Sequence, residues 1–323
     1  AAAAVVWSAA ATPVKAQNGK YPKNLQPRTL RAILKHSFDV IIEHAIFSDA
    51  YPVYVRPGIF TKNFFLKAAR EVGNKAGVDE TTKNEAREIF NRFRDDDSFV
   101  KVFSELPMTC FQQFQSLSKS LACNNVATHY GLVGITPAQD GKKLASAPFS
   151  HFAIQDTLRL WLFVMKGQAA IGFKFINKFV TSFPNDPEMQ EPELPIAAVA
   201  AAATAVQSAL IDTKSGVLIR TRFVEGVLGE LYRSHIETLK TIKKDFPGEF
   251  HRIMSSLFRS AIGKSDQATA DTSFDFNDCD HSDTCDNNDD LVAEFDVPDP
   301  SNAIGETLAG GEASKARDAE ASE

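Results

Sequence analysis

The sequence predicts an all-α fold, in which a single helical domain lies between disordered ends. Apolar residues recur at steps of three and four along most of the chain, which is the spacing of one helix face. The alternation of apolar and polar residues that marks a half-buried strand is not sustained in the sequence. Charge also divides the chain, with a net charge of +8 on residues 1–263 and −14 on residues 264–323.

Composition sets the expected boundaries of the domain. Residues 1–24 are low in complexity and are predicted to be a disordered N-terminal segment. Residues 25–263 are predicted to form the helical domain, and the 25 phenylalanines favour core packing because their rings carry no polar group. Residues 264–323 contain 17 acidic residues and few apolar ones, so we expect a disordered acidic tail.

The first half of the domain contains a series of predicted helices. The first begins near Thr29 and ends before Pro52, since proline disfavours the helical conformation of the residue before it. In the third, Thr82 and Glu85 fit a capping box. The remaining helices are expected at 61–74, 81–94, near Phe99 and at 111–130, with a loop at 131–148 and one candidate strand at 53–55.

The second half is more apolar. Residues 151–180 are predicted to form two packed helices. The alanine-rich run 196–211 is expected to be a buried helix with Pro195 in its first turn, because a membrane span needs about 20 strongly apolar residues. The longest helix is expected at 217–245, and a last one ends at Gly263. The apolar stripe of the longest helix comprises Val224, Leu228, Leu231, His235, Leu239 and Ile242.

Two features bear on the location of the protein. The first eleven residues, AAAAVVWSAAA, look like the apolar part of a signal peptide, but they lack a basic start and a leucine-rich run. Cys110 and Cys123 lie in an apolar stretch, as buried reduced thiols do, and four cysteines are too few for a disulfide framework. We predict an intracellular protein, nuclear or cytoplasmic, and keep secretion as the alternative. Because the first residue is Ala1 rather than methionine, we expect a fragment or a processed form.

Three blocks of the sequence resemble one family. HAIFSDAYP at 44–52 is similar to its opening block, and APFSHFAI at 147–154 is similar to its middle block. The third block comprises 195–210, Gly216, Phe223, Tyr232, His235, Leu239, Phe250 and His251. Over residues 28–263 the chain resembles the family named domain of unknown function 6532, found in mushroom-forming fungi. The resemblance implies an intracellular helical domain and brings no activity, cofactor or catalytic residue.

The sequence contains no convincing catalytic motif. GITPAQDGKK at 134–143 resembles a phosphate-binding loop, but six residues separate its glycines and Lys142 is followed by Lys143 instead of Ser or Thr. His235, one turn from Tyr232, has the chemistry of a general base, although a histidine on an apolar stripe is more often structural. A pocket that holds either residue beside a carboxylate would favour an enzyme, whereas burial of both against Leu and Phe would count against one.

Soft metal ligands cluster at Cys279, His281 and Cys285. Zinc prefers four ligands drawn from Cys, His and carboxylate, and a neighbouring aspartate would complete the set. Structural zinc motifs usually have two spaced pairs, whereas this segment has one. A calcium loop beginning at Asp278 would need Gly and Glu at positions where the chain has aspartates. We therefore predict no metal or other cofactor and keep the three soft ligands as weak candidates.

Basic residues cluster in the last two predicted helices. Nucleic-acid binding needs such charge, yet acidic residues are interspersed and no helix-turn-helix, RNA-recognition or zinc-finger motif accompanies them. The candidate contact residues are Arg233, Lys240, Lys243, Lys244, Arg252 and Arg259. The acidic tail is interpreted either as a solubilising segment or as a competitor for this basic surface.

These observations lead to one prediction of function and two alternatives. The leading prediction is a non-enzymatic helical interaction module with an unidentified protein partner and no membrane span. The first alternative is a nucleic-acid-associated regulatory protein with a basic body and an autoinhibitory acidic tail. The second alternative is an enzyme whose site no motif reveals.

Overall fold

The computed structural model describes residues 6–17, 19–52, 57–130, 149–164, 171–213 and 225–263. Within these residues every regular element is a helix, which confirms the all-α prediction. The α-helices are α1 (Arg28–Phe47), α2 (Pro57–Asn74), α3 (Glu80–Asp95), α4 (Asp97–Phe103), α5 (Glu105–His129), α6 (Phe152–Arg159), α7 (Ile171–Lys174), α8 (Ile196–Asp212), α9 (Glu225–Asp245) and α10 (Pro247–Ala261). The candidate strand, the 131–148 loop, the start of the longest predicted helix and the acidic tail lie outside the described residues.

Two helical elements that pack on each other are present at 151–180, as predicted, but the second is much shorter than expected, and residues 165–170 lie outside the described residues. Helix α6 continues into a π-helical turn, Leu160–Val164, and α7 has only four residues. Gly172 in α7 lies directly against the Phe163 ring, because a Cβ atom there would be 2.4 Å from a ring carbon. The glycine thus allows the Phe163 ring to pack directly against the α7 backbone.

The Ala-rich helix α8 is buried on nearly every side. Among the residues from Ala197 to Ala209, all but Gln207 are buried, which confirms the buried helix predicted there. Alanine side chains are small, so neighbouring helices approach the α8 backbone closely, and α5, α6 and α9 all pack against it. No helix in the described part of the chain has the length and apolarity that a bilayer span requires.

Phenylalanine rings fill the space between α2, α3 and α4. The rings of Phe65 and Phe93 are stacked with centroids 4.6 Å apart, and Phe99 lies 4.6 Å from Phe93 on another side. Phe103 completes this cluster, and all four side chains are fully buried. The high phenylalanine content therefore serves core packing, as the composition predicted.

Polar side chains tie α5 to the helices that cover it. Lys119 of α5 forms an ion pair with Asp212 at the end of α8, with Nζ and Oδ2 2.9 Å apart and both side chains at most 9% exposed. Asn125 donates a hydrogen bond to the Thr157 hydroxyl of α6 at 3.0 Å. Because buried polar groups are costly when unpaired, these contacts favour one arrangement of the three helices.

The structure contradicts the predicted disorder of residues 1–24 at residues 6–17 and 19–24, where the chain packs against the helical domain. Ser8 donates from its backbone N–H and its hydroxyl to the Glu88 carboxylate of α3, at 2.6 and 2.5 Å. Ala11 is fully buried in the main core, and its carbonyl accepts a hydrogen bond from Arg92. Low complexity was misleading because small alanine side chains fit in narrow spaces on an already folded surface.

The capping box proposed for α3 is replaced by a simpler cap. Asp79 precedes the helix, and its carboxylate accepts hydrogen bonds from the Thr82 N–H and hydroxyl, both at 2.9 Å. Glu85 instead accepts a hydrogen bond from Thr29 on α1. An aspartate at this position stabilises the unpaired N–H groups of the first turn, and its charge favours the positive end of the helix.

Candidate binding groove

A groove of about 630 Å³ is formed by five parts of the described structure. Its walls are the end of α1 and the residues after it, the segment 178–182, the residues 193–197 at the start of α8, one face of α9, and Phe250 of α10. A volume of this size lies in the range of ligand and peptide sites, roughly 300–1,000 Å³. The groove is therefore large enough to bind a ligand or a short segment of a partner.

Helix α9 provides one side of the groove because of the spacing of its residues. Positions three and four apart lie on the same helix face. The groove-lining residues of α9 are Tyr232, Arg233, Ile236, Glu237, Lys240 and Lys243. At a rise of about 1.5 Å per residue, this face extends for roughly 16 Å, or three helical turns.

Apolar side chains line the groove between its charged groups. Phe47 and Phe250 contribute rings, and Ile236 and Ile196 contribute aliphatic surface. Val180 also lines the groove and is 66% exposed, an unusual position for a large apolar side chain. The groove thus combines apolar surface with charged residues, as binding sites commonly do.

The cations around the groove differ in the partners they have. Lys178 is 2.8 Å from the Glu43 carboxylate, and Lys240 is 2.9 Å from the Glu237 carboxylate. Among the described residues Arg233 and Lys243 have no carboxylate partner, and both are exposed. Lys243 lies over the Phe250 ring, 5.3 Å from its centroid, which is a cation–π contact. The positive charge free to meet a ligand is therefore concentrated at Arg233 and Lys243.

Tyr232 is held in place by the end of α1. Its hydroxyl accepts a hydrogen bond from the Ala50 N–H at 3.0 Å and is also hydrogen-bonded to Asp49. Burial raises the pKa of Tyr232 far above its ordinary value, so the phenol stays neutral. The ring packs against Tyr51 with centroids 5.0 Å apart. The hydroxyl positions the chain after α1 and is not free to act as an acid or a base.

A second polar cluster forms the wall beside α8. One carboxylate oxygen of Glu193 accepts hydrogen bonds from the Ser182 N–H at 2.9 Å and the Ser182 hydroxyl at 2.6 Å. The same oxygen is 2.7 Å from Nδ1 of His251 on α10. In a serine nucleophile site the histidine contacts the hydroxyl, whereas here the glutamate lies between them. The cluster therefore connects the segment before α8 to α10 and does not activate Ser182.

The sequence analysis missed the Glu193 cluster. Glu193 and His251 are 58 positions apart, so no local motif links them. The nearest signal in the sequence is a charged residue just before Pro195, in a segment otherwise rich in proline. Only the folded chain shows that this charge is buried and paired.

Only half of the six predicted nucleic-acid contacts line the groove. Arg233, Lys240 and Lys243 line the groove, whereas Lys244, Arg252 and Arg259 do not. Arg252 is bound by both oxygens of Glu249, at 2.6 and 2.9 Å, and Arg259 is 3.7 Å from Glu191. Acidic neighbours thus offset part of the charge that the sequence suggested was available for phosphate.

His235 lies outside the groove lining. Its ring meets the Phe149 ring at 5.7 Å, and its Nε2 is buried without a hydrogen-bond partner among the described residues. Burial lowers the pKa of His235, which favours the neutral ring. The groove does place Tyr232 beside Asp49, as the enzyme alternative required, but both are bonded within the protein. The soft metal ligands Cys279, His281 and Cys285 lie outside the described residues.

Comparison with known proteins gave one result. The sequence model of a family described as domain of unknown function (DUF6532) matches residues 41–242, which is more than half of the chain. The matched stretch lies within the range 28–263 over which the resemblance was seen. Neither the curated proteins nor the solved structures gave a match.

Proposed function

Since this chain belongs to the DUF6532 family, whose function is unknown, we propose a role from the groove itself. The chain acts as a non-enzymatic interaction module that binds a segment of a protein partner between α1, α8 and α9. We also propose that it acts inside the cell. The reduced thiols of Cys110 and Cys123 support that location, because such thiols are typical of reducing compartments.

The observation that carries the proposal is that the polar groups of the groove are of two kinds, those bonded within the protein and those accessible to a partner. Tyr232 and Glu193, which have the chemistry for catalysis, are bonded to other parts of the protein. Arg233 and Lys243 are exposed beside apolar side chains and have no carboxylate partner in the described residues. Apolar surface flanked by accessible charge suits recognition of a partner better than reaction with a substrate.

A peptide array tests whether the groove is the binding site. Immobilised random decapeptides are incubated with the fluorescently labelled full chain and with the variant Val180→Trp. Val180 is exposed in the groove, so tryptophan there fills the site without disturbing the core. We expect the parent to bind a reproducible set of peptides. The fluorescence of Val180→Trp on the same peptides should be at least tenfold lower.

The matched control is Ile59→Trp, which makes a similar change away from the groove. Ile59 is 59% exposed on α2 and does not line the groove. This variant should bind the same peptides as the parent. Equal binding by both tryptophan variants, or no binding by the parent, would overturn the proposal.

A second candidate is a nucleic-acid-associated regulatory protein. The net charge of +8 on residues 1–263 supports it, whereas the carboxylates beside Lys240, Arg252 and Arg259 weaken it. Fluorescence anisotropy with labelled duplex DNA and single-stranded RNA across a salt series tests this candidate. Binding that falls steeply with salt, and that strengthens when the chain ends at residue 263, would favour it over the interaction module.

A further inference from the structure

Two groove cations that have no carboxylate partner among the described residues are separated by a defined length of helix. Arg233 and Lys243 are ten residues apart on α9, which corresponds to a rise of about 15 Å. Between them lie Ile236 and the neutralised pair Glu237–Lys240. A partner therefore meets positive charge at the two ends of this face and apolar surface between them.

The rise along α9 between the two cations indicates the length of the partner segment. A helical segment needs about ten residues to cover 15 Å, at about 1.5 Å each. An extended chain covers 15 Å with about four to five residues, at about 3.3 Å each. A short extended segment thus spans the rise between the two residues.

The position of Arg233 adds to this geometry. Its guanidinium lies over Gly229, one turn earlier, where a Cβ atom would be 3.2 Å from Nη1. The absence of a side chain at Gly229 therefore leaves room for the arginine to lie along the helix. Lys243 is held at the other end by the Phe250 ring. These contacts hold the two charges at the two ends of the groove face of α9.

Resting on the proposed function, we infer that the groove binds an extended acidic peptide segment. The segment carries two carboxylate side chains four to five residues apart, with apolar residues between them. One carboxylate pairs with Arg233 and the other with Lys243, while the apolar residues contact Ile236 and Val180. Arginine and lysine paired with carboxylates form charge-assisted hydrogen bonds, which make both spacing and sign part of the recognition.

Fluorescein-labelled octapeptides of identical composition test the spacing. Each has two glutamates among valine and glutamine, with the glutamates two, four or five positions apart, and binding to the full chain is followed by anisotropy at low salt. We expect the four- and five-residue spacings to bind at least tenfold more tightly than the two-residue spacing. Equal affinity for all three peptides would overturn the inferred spacing.

Charge-reversal variants test the two residues. Arg233→Glu and Lys243→Glu should each weaken binding of the peptides with four- and five-residue spacing (the well-spaced peptides) at least tenfold. Each should weaken binding of the peptide with two-residue spacing much less. Lys244→Glu is the matched control, because Lys244 is exposed on the same helix but does not line the groove. It should change affinity less than twofold. The double variant Arg233→Glu/Lys243→Glu should instead bind the octapeptide in which lysines replace the well-spaced glutamates.

The outcomes separate this inference from the proposed function. If the glutamate peptides bind regardless of spacing and Val180→Trp abolishes that binding, the groove is a binding site and the inferred spacing is wrong. If Arg233→Glu and Lys243→Glu behave like Lys244→Glu, the assignment of the two cations is wrong. If single-stranded RNA displaces the peptides, and none of the groove variants changes the affinity of the chain for the peptides, both proposals fail. The nucleic-acid candidate is then favoured.

Discussion

Two lysine–carboxylate pairs with the same separation have opposite surroundings. Lys119–Asp212 joins α5 to α8, and Glu237–Lys240 lies on α9, each with a nitrogen–oxygen distance of 2.9 Å. The side chains of Lys119 and Asp212 are 9% and 0% exposed, whereas those of Lys240 and Glu237 are 59% and 70% exposed. Water screens the exposed pair but not the buried one, so distance alone does not measure what an ion pair contributes.

The largest expected effect comes from breaking the buried pair. Asp212→Ala leaves the Lys119 ammonium inside the protein without its carboxylate, so the free energy of unfolding should fall by about 3–5 kcal/mol. Urea denaturation followed by circular dichroism measures this change. Glu237→Ala removes the exposed partner of Lys240 and should alter the free energy of unfolding by no more than about 0.5 kcal/mol.

Replacing both members of the buried pair sharpens the comparison. Lys119→Met with Asp212→Leu removes both charges and keeps apolar volume, so it should recover most of the stability lost in Asp212→Ala. A double variant as unstable as the single one would show that packing at this site, and not the unpaired charge, causes the loss.

The next largest effect is expected from the difference between the two faces of α9, one in the core and one in the groove. Leu239 is 1% exposed in the core, so Leu239→Ala should lower the free energy of unfolding by about 2–5 kcal/mol. Ile236 is partly buried and lines the groove. Ile236→Ala should therefore lower the free energy of unfolding by less than half as much as Leu239→Ala does, and it should weaken peptide binding. Urea denaturation and peptide anisotropy measured on both variants separate the two roles. Equal destabilisation by both would contradict the assignment of Ile236 to the groove.

The smallest expected effects concern two histidines whose pKa values shift in opposite directions. The hydrogen bond with Asp39, supported by Glu71, raises the pKa of His36, whereas burial lowers the pKa of His235. The stability that His36 contributes is full below its unfolded pKa of about 6.5 and is lost as pH rises through the raised pKa. The contribution of His235 is full above about 6.5 and is lost as pH falls through the lowered pKa.

Glutamine variants measured by urea denaturation between about pH 5 and 8 test this pair of opposite trends. The deficit of His36→Gln relative to the parent should be largest at the acidic end and should shrink as pH rises. His235→Gln should gain stability relative to the parent as pH falls. Parallel curves for both variants and the parent would mean that neither histidine is linked to folding through its charge.

The sequence predicted the elements whose signals are local. Helices α1 and α10 have apolar periodicity along their own length, and α8 is a continuous alanine-rich run after Pro195. The end of α10 coincides with Gly263, which has a φ of 78°. The predicted stripe on α9 is confirmed at Leu228 and Leu239, which are buried, but Leu231 is only partly buried and Tyr232 takes a core position. A periodic pattern fixes a helix face to within about one residue, so it does not decide which of two neighbours enters the core.

The groove was beyond the reach of sequence patterns. Its walls come from five separate segments, and the bonds that hold them join distant residues such as Ala50 and Tyr232, 182 positions apart. Half of the basic residues predicted to contact a partner do line it, because they share the groove face of α9. Sequence patterns do not predict which of these cations acquire carboxylate partners from neighbouring positions or other elements, since side-chain pairing depends on the folded geometry.

Helix α8 has a consequence for how the helices are aligned along their axes. An alanine surface is nearly smooth, so it offers few ridges and grooves that would distinguish one axial position from another. Alanine also loses almost no side-chain entropy on burial, which makes several alignments nearly equal in that respect. The Lys119–Asp212 pair at the end of α8 forms only at one relative axial position of α5 and α8. The Lys119–Asp212 pair therefore defines the axial position of a helix whose own surface is too uniform to define it.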